Sequence, residues 1–281
     1  MLRLTDLRKS YGSEPAVDGL TLDIPRGSIF GFLGPNGAGK TTTINLCVGL
    51  LRPTSGTIDL DGLGSPDEPA VRMQIGVAPQ AIALYDTLTA LENLNVFGKL
   101  YGLSPAIISE RSAELLDSVA LSDRARDRVG TFSGGMKRRL NLAAALIHDP
   151  PLVMLDEPTA GVDPQSRNAI LETVRSLRDR GKTIVYTTHY MEEAQRLCDQ
   201  VAIIDRGRLL AKDTVDNLIV SHGGKSVVTV QSSTGETRIQ TSEPVRELVR
   251  RLKTDDVLNV RVDRPDLESV FLNLTGRSLR D

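Results

Sequence analysis

The stretch between residues 28 and 46, SIFGFLGPNGAGKTTTINL, constrains the fold of this chain more than any other. Its apolar run Ile29–Leu33 predicts a buried strand, and the following GPNGAGKT fits the phosphate-loop pattern G-x-x-x-x-G-K-[ST]. Glycines let such a backbone curl so that its N–H groups form a concave nest for phosphate oxygens, and the helix beginning near Gly39 adds the positive end of its dipole. Glycine-rich turns also occur without nucleotides, but the Lys-Thr pair in register favours a nucleoside triphosphate site.

The predicted loop supplies most of the residues that we expect to bind the nucleoside triphosphate. Lys40 is expected to reach the β- and γ-phosphates, and the Thr41 hydroxyl to take a coordination position on Mg²⁺. The nucleotide-binding residues predicted in this loop are Gly34, Pro35, Asn36, Gly37, Ala38, Gly39, Lys40, Thr41 and Thr42.

A second stretch, LVMLDEP at 152–158, places two carboxylates after a fully apolar run. Such a run is typical of a central strand covered on both faces, and open parallel sheets bind ligands at the carboxyl ends of their strands. Asp156 is therefore a candidate to hold Mg²⁺ through its water shell, and Glu157 to polarise a water in line with the γ-phosphate. The alternative is that both carboxylates cap the following turn.

The composition bounds the class of protein. The 281 residues suffice for one large domain with a smaller companion, and 34 basic against 36 acidic residues give a net charge of −2. No overall positive field therefore favours nucleic acid, and no apolar run approaches the roughly 18 residues of a membrane-spanning helix. Cys47 and Cys198 stand far apart, form no metal-spaced cluster, and are expected to be small buried apolar residues.

Strand and helix signals alternate along residues 1–213, which predicts an α/β domain. Within it, residues 84–148 are expected to be mostly helical. Beyond Asp213 the pattern changes to a β-β-α-β-α order, so we expect a small α+β accessory domain over residues 214–281, joined through residues 214–225.

Three further positions carry polar or aromatic groups near predicted strand and helix ends. Tyr11 is flanked by glycine before the phosphate loop, and its position alone favours a partly buried surface aromatic. Gln80 directly follows a short apolar strand, Ile75–Ala78, and is well placed to face a ligand. The basic run at 137–139 could aid phosphate electrostatics, but a solvated helix face is the favoured interpretation.

At this point the sequence resembles the ATP-binding cassette (ABC) ATPases over residues 2–213. The motifs that carry the resemblance are GPNGAGKTT at 34–42, Gln80, FSGGMKRRL at 132–140, LVMLDEP at 152–158, AGVD at 160–163 and His189. Their order and spacing are far more specific than a phosphate loop alone. The resemblance implies a P-loop NTPase fold of α/β class, with a RecA-like core sheet, an antiparallel β subdomain and a helical subdomain, followed here by the small α+β appendix.

The resemblance also implies roles that the residues alone suggest only in part. Tyr11 is similar to the aromatic that stacks on adenine, in place of the surface aromatic that its position favours. Gln80 resembles the residue that senses Mg²⁺ and the attacking water while coupling to a membrane partner. His189 resembles the γ-phosphate contact, although a lone histidine at a strand end is more often structural.

Ser133-Gly134-Gly135 resembles the signature motif of the family, which closes over the γ-phosphate of ATP held by the opposite subunit. One chain then carries two half-sites and no whole one. Ser133 and the following amides lie at a predicted helix N-terminus, where anions are stabilised. Asp163, in AGVD, completes the ATP-binding set that the resemblance implies. Met136 replaces the usual Gln, so any polar contact from that Gln is absent here.

The segments PDLESVFLNLTG at 265–276 and TLTALENL at 87–94 resemble the ATPases of ABC-2 type exporters, including daunorubicin-resistance-like multidrug systems. This implies ATP-driven export, a second copy or a paralogous ATPase as dimer partner, transmembrane permease subunits, and a peripheral position on the cytoplasmic side of the cell membrane. Two alternatives are a non-transport cassette ATPase of translation or DNA maintenance and a regulatory nucleotide-binding protein. The single phosphate loop, the net charge of −2 and Glu157 favour the transporter.

Overall fold

The structure is a computed structural model that describes residues 1–254 and 256–276. The chain divides into two compact units, Met1–Lys212 and a second one that begins at Asp213. Each unit contains its own buried apolar residues, and each is described by itself.

The first unit alternates strands and helices, as the α/β prediction requires. Its strands are β1 Leu2–Tyr11, β2 Glu14–Ile24, β3 Ile29–Leu33, β4 Ser55–Leu60, β5 Ile75–Ala78, β6 Leu152–Asp156, β7 Thr183–Thr188, β8 Gln200–Asp205 and β9 Arg208–Thr214. Its α-helices are α1 Lys40–Cys47, α2 Pro69–Arg72, α3 Ala90–Leu100, α4 Pro105–Ser118, α5 Gly134–Leu146, α6 Pro164–Asp179 and α7 Met191–Leu197. Among the described residues, no helix is both long and apolar enough to span a lipid bilayer.

A six-stranded sheet with the order β5-β6-β7-β3-β8-β9 forms the centre of the first unit. The strands from β5 to β8 in this order pair in parallel, and β3, β6 and β7 are buried along their whole length. Apolar residues fill most positions of β3 and β6 because both faces of the sheet are covered, while β7 carries buried threonines at both of its ends. The carboxyl ends of β5, β6, β7 and β3 therefore meet at one edge, where the segments that follow these strands leave the sheet.

A three-stranded antiparallel sheet with the order β2-β1-β4 lies against this centre. Its inward residues, among them Leu2, Leu4 and Leu22, share one apolar cluster with α1 and with the central strands. Cys47 of α1 belongs to that cluster, and Cys198 is also buried, as expected from the sequence. Burial raises the pKa of the Cys47 thiol to about 12, so this side chain behaves as a small apolar residue.

Helices α3 to α5 build the helical region that the sequence places at 84–148. Thr89 and Glu92 form a capping box at the start of α3, and Ser104 caps α4 before Pro105. Apolar residues of all three helices, including Leu94, Leu116 and Leu140, pack into a second cluster. The region thus has a core of its own within the first unit.

The second unit is an α+β structure around a three-stranded antiparallel sheet with the order β11-β10-β12. Its elements are α8 Val215–His222, β10 Ser226–Ser232, β11 Gly235–Thr241, α9 Pro244–Thr254, β12 Val257–Asp263 and α10 Leu267–Thr275. Val228 and Val230 of β10 and Phe271 of α10 are buried.

The structure corrects one expectation for this unit, since residues 214–225 are not only a connector. They contain helix α8, which Thr214 caps by accepting a hydrogen bond from the Asn217 N–H. Leu218 is buried, and α8 packs against α10. An eight-residue helix with so few buried positions gives too short an apolar period to be recognised in the sequence.

We expect a chain that ends at Asp213 to fold and to bind ATP with an unchanged Kd. Every residue predicted to contact phosphate lies in the first unit, so removal of the second unit leaves that site whole. The measurement is the nucleotide-dependent rise in Tm and the Kd of the truncated chain beside the full chain. A truncated chain that folds but does not bind ATP would show that the boundary is wrong.

Candidate active site

The site is built around a buried ion pair between Lys40 and Glu157. Lys40 is the first residue of α1, Glu157 directly follows β6, and their Nζ and Oε1 atoms lie 3.1 Å apart. Lys40 Nζ also donates to the carbonyl oxygens of Gly34 at 2.9 Å and Pro35 at 3.1 Å. Glu157 is only 6% exposed and has a positive φ of 47°. Such backbone strain in a buried carboxylate is typical of functional sites.

Two more of the predicted catalytic residues reach the same carboxylate. Gln80, two residues after β5, donates through Nε2 to Glu157 Oε2 at 3.1 Å. His189, directly after β7, places Nδ1 3.4 Å from Glu157 Oε1. The structure therefore brings together all four predicted catalytic residues, which come from the ends of four different strands or their following loops.

Asp156 is held by Thr187, a residue that the sequence analysis does not identify. The Thr187 hydroxyl donates to Asp156 Oδ1 at 2.6 Å and accepts from the Glu157 N–H at 2.9 Å. The contacts of the two carboxylates in the described residues run to Lys40, Gln80, His189 and Thr187, and none of these lies in the turn that follows. The geometry thus does not favour the alternative that the carboxylates only cap this turn.

The residues predicted to bind a metal fit Mg²⁺ held jointly with a nucleotide. Asp156, Thr41 and Gln80 offer oxygen atoms, which Mg²⁺ prefers, and Mg²⁺ is usually bound through one or two carboxylates together with substrate phosphates and waters. Within residues 1–254 and 256–276, no group of three or more His, Cys, Asp or Glu side chains could hold a metal alone. The donor set therefore suits a metal that arrives with its phosphates.

The phosphate loop keeps its shape through close backbone contacts. Gly39 has a φ of +100°, and a Cβ atom there would collide with the carbonyl oxygen of Ala16 in β2. Gly37 has a φ of +79° and faces open space, as does the exposed Asn36 beside it. Ala38 is buried and donates its N–H to the Pro35 carbonyl at 3.2 Å. Thr41 and Thr42 lie in the first turn of α1.

Tyr11 lies at the end of β1, where it pairs with Glu14 across the tight turn to β2. Its side chain is 53% exposed, which is more than the partly buried surface aromatic expected from position alone. The Lys9 ammonium lies 5.6 Å from the centre of the Tyr11 ring. An exposed ring on the strand pair that also contacts Gly39 is compatible with stacking on a base.

The remaining predicted ATP-binding residues form a separate group. Ser133 caps α5 by accepting from the Met136 N–H at 3.2 Å, and Asp163 caps α6 by accepting from the Ser166 N–H at 2.9 Å. A Cβ atom on Gly135 would collide with the Ser166 side chain and lie 3.3 Å from Asp163 Oδ2. Hydrogen bonds from Ser166 lower the pKa of the Asp163 carboxyl. The starts of α5 and α6 thus form one surface.

The basic run at 137–139 is not the solvated helix face that the sequence favoured. Arg138 is half-buried and donates to the carbonyl oxygens of Gln80 and Pro79, while Lys137 pairs with Asp86 at 2.8 Å. Arg139 donates to the Val119 and Ala120 carbonyls. Desolvation lowers the pKa of Arg138, partly offset by the charges of Glu157 and Asp156. These side chains tie α5 to the neighbouring loops.

The structure also shows buried groups that sequence reasoning missed. Besides Thr187, they include Asn141, which contacts the Ala83 N–H and the Pro79 carbonyl, and Glu193, whose carboxylate is 3% exposed. A threonine at a strand end and a glutamate in the first turn of a helix are both common for ordinary structural reasons. Only the contacts in the folded chain distinguish Thr187 and Glu193 from ordinary structural residues of these types.

Comparison with known proteins agrees with this architecture. The family model described as ABC transporter matches residues 17–160. The linearmycin resistance ATP-binding protein LnrL of Bacillus subtilis is 43% identical, and the match covers 100% of both chains. The Nod factor export ATP-binding protein I of Cupriavidus metallidurans is also 43% identical, over 100% of this chain and 99% of that protein.

Two solved structures share the fold. The ATP-binding subunit of an ABC transporter superposes with a TM-score of 0.72 at 34% identity, covering 79% of this chain and 93% of that one. A dimeric ATP-binding cassette in a post-hydrolysis state, bound to ADP and Pi, gives a TM-score of 0.70 at 27% identity, covering 76% and 98%.

The fold and the buried Lys40–Glu157 centre define a phosphate-loop ATPase of α/β class. Within that class, the chain belongs to the ABC transporter family as an ATP-binding subunit. The predicted fold and the predicted family are both confirmed. The transport-associated interpretation is favoured over the alternatives of a translation factor, a DNA-maintenance factor or a regulator, because the relatives that match over the whole chain are named for resistance and export.

We expect Gly39→Ala to destabilise the chain much more than Gly37→Ala. Both glycines have a positive φ, which costs an L-residue about 1–2 kcal/mol, but only at Gly39 would the new methyl group strike a backbone carbonyl. Gly39→Ala should lower the free energy of unfolding by about 2–4 kcal/mol, and Gly37→Ala by about 1 kcal/mol. Denaturant unfolding of both variants measures this, and equal losses would contradict the close packing on Ala16.

Proposed function

We propose that the chain is the energy subunit of an ABC exporter, in which ATP hydrolysis uses Glu157 as the general base. The observation that carries this proposal is the convergence of Lys40, Gln80 and His189 on the single buried carboxylate of Glu157. A carboxylate with these partners at the carboxyl edge of a parallel sheet is placed to orient a water beside a phosphate.

The chain's own residues account for the steps of binding and hydrolysis. Lys40 exchanges the loop carbonyls and Glu157 for the β- and γ-phosphates of ATP, which leaves the Glu157 carboxylate able to accept a proton from the attacking water. His189 contacts the γ-phosphate, and Gln80 orients the water from its other side. Thr41, Asp156 and Gln80 would hold Mg²⁺, which would supply positive charge to the phosphates.

The surface formed by the starts of α5 and α6 supports the proposal of a composite site. Ser133, Gly134, Gly135 and Asp163 lie at two helix N-termini, which favour anions. We propose that Ser133, Gly134 and Gly135 close over the γ-phosphate bound to the phosphate loop of a partner subunit, with Asp163 beside them as the cap of α6. Tyr11 stacks on the adenine of the ATP held by its own chain. The partner is a second copy of the chain or a paralogous ATPase.

The relatives support export as the direction of transport. The protein of Bacillus subtilis is named for linearmycin resistance and that of Cupriavidus metallidurans for Nod factor export. We propose that the chain likewise docks on separate transmembrane permease subunits at the cytoplasmic side of the cell membrane, with the permease selecting the cargo. No nucleic acid takes part in this proposal, in keeping with the net charge of −2.

We expect Glu157→Gln to lower kcat for ATP hydrolysis by roughly 10²–10⁴-fold while ATP still binds. The amide keeps the shape of the side chain but cannot take a proton from water, so the ATP-bound dimer should accumulate. Phosphate release and size-exclusion elution with Mg·ATP measure both effects. Glu172→Gln, on the exposed side of α6, is the matched control and should turn over normally. Near-normal turnover of Glu157→Gln would remove Glu157 as the general base.

We expect Ser133→Arg and Lys40→Ala homodimers to be nearly inactive and their mixture to regain part of the activity. Ser133→Arg damages the half-site offered to the partner, and Lys40→Ala damages the half-site on its own chain. In a mixed dimer, one composite site carries both lesions and the other carries neither. The measurement is ATPase activity against the mixing ratio, with heterodimer formation followed separately.

The mixing experiment separates shared sites from sites contained in one chain. A site contained in one chain gives no rescue at any ratio. A lack of rescue has a second explanation, which is that both composite sites must fire together. A covalently tethered pair in which only one composite site is damaged separates the two explanations. The pair is inactive if both sites must fire together, and it keeps activity if each site is contained in one chain.

A further inference from the structure

Glu193 is a buried carboxylate that the proposed chemistry does not use. It lies in the first turn of α7 and is 3% exposed. Its Oε2 atom accepts hydrogen bonds from the hydroxyls of Thr159 at 2.8 Å, Tyr186 at 2.8 Å and Thr188 at 3.1 Å. Its Oε1 atom lies 3.3 Å from Arg167 Nε. A buried charge is costly unless it is paired and hydrogen-bonded, and Glu193 has both kinds of partner.

The partners of Glu193 lie in or beside the segments that carry candidate catalytic residues. Thr188 directly precedes His189, and Thr159 lies two residues after Glu157. Arg167 lies in the first turn of α6, which Asp163 caps. A single carboxylate therefore connects the loop after β6, the end of β7 and the start of α6.

Among the candidate catalytic residues, His189 is the one whose surroundings Glu193 contacts from the most sides. The Thr188 hydroxyl donates its one proton to Glu193 and accepts from the Tyr190 N–H at 2.9 Å, so the backbone is fixed on both sides of His189. The rings of His189 and Tyr190 lie 4.1 Å apart, and the Arg167 guanidinium lies 4.7 Å above the Tyr190 ring. Because Arg167 also pairs with Glu193, these contacts close a ring of interactions around the His189 loop.

We infer that Glu193 is a positioning residue that holds His189 in place for ATP hydrolysis through Thr188 and through the Arg167–Tyr190 stack. This inference rests on the role of His189 under the proposed function. A carboxylate is required at position 193 because its neighbours, three hydroxyls and one guanidinium, are all donors that need an acceptor. A glutamine there would turn its –NH₂ group toward one of these donors. Desolvation and the charge of Glu193 raise the pKa of Tyr186, which keeps that hydroxyl protonated as a donor.

The first test is Glu193→Gln, for which we expect kcat for ATP hydrolysis to fall by about 10–100-fold, since a catalytic group displaced by about 1 Å can lose roughly 100-fold. The KM for ATP should stay near the wild-type value, because Lys40 and the phosphate loop are untouched. Glu192→Gln, the exposed neighbour on the same helix, is the matched control and should keep both constants. A Glu193→Gln variant that folds and retains wild-type kcat overturns the inference.

A pair of single-hydroxyl variants keeps the test valid if Glu193→Gln does not fold. Thr188→Val and Tyr186→Phe each remove one donor to the same Glu193 oxygen, but only Thr188 is linked to the backbone around His189. Both should lower Tm, whereas only Thr188→Val should lower kcat. The same kcat for Thr188→Val as for Tyr186→Phe would show that the hydrogen bonds to Glu193 only stabilise the fold.

A double-mutant cycle identifies the residue through which Glu193 acts. If Glu193 positions His189, then Glu193→Gln should lower kcat by less than about twofold in a His189→Ala background, because positioning has no further effect once the imidazole is gone. Losses that multiply would overturn the inference while leaving the role of His189 intact. If His189→Ala alone hydrolyses ATP at the wild-type rate, the proposed role of His189 fails, and the inference fails with it.

Discussion

The ion pair between Lys40 and Glu157 is the interaction on which the rest of the site depends. Both side chains are buried, and removing one partner of such a pair typically costs about 3–5 kcal/mol because the other charge is left without compensation. The fold meets this demand by placing the amino end of α1 and the end of β6 at the same sheet edge. Gln80 and His189 then add a donor and an imidazole to the one carboxylate.

The order of the strands explains why four distant parts of the sequence meet there. β6, β7 and β3 are neighbours in the sheet although more than a hundred residues separate β3 from β6 in the chain. Parallel pairing brings their carboxyl ends to one edge, so each following loop can contribute one polar group without disturbing the apolar strands. Thr187 holds two site residues with one side chain, since its hydroxyl donates to Asp156 and accepts from the backbone N–H of Glu157.

The sequence predicted best those parts of the molecule whose structure depends on residues close together in the chain. The phosphate loop and the apolar strands β3 and β6 follow from patterns that few alternatives satisfy, and the helical region at 84–148 follows from its helix signals. The meeting of Lys40, Gln80, His189 and Glu157 was predicted mainly through resemblance to a family. Helix α8, the anchoring role of Arg138 and the buried Glu193 were missed, because each depends on partners far away in the sequence, and an isolated charge or a short polar helix looks like surface.

The packing of Gly135 on Ser166 has a mechanical consequence. Because Gly135 has no side chain, the start of α5 lies so near the start of α6 that a methyl group at Gly135 would overlap the Ser166 side chain. The two helix starts are therefore closely packed on each other. Because α5 belongs to the helical region and Asp163 caps α6, a shift of this region at Gly135 is expected to shift the Asp163 cap as well. A movement of the helical region is thus expected to reach the surface formed by the starts of α5 and α6.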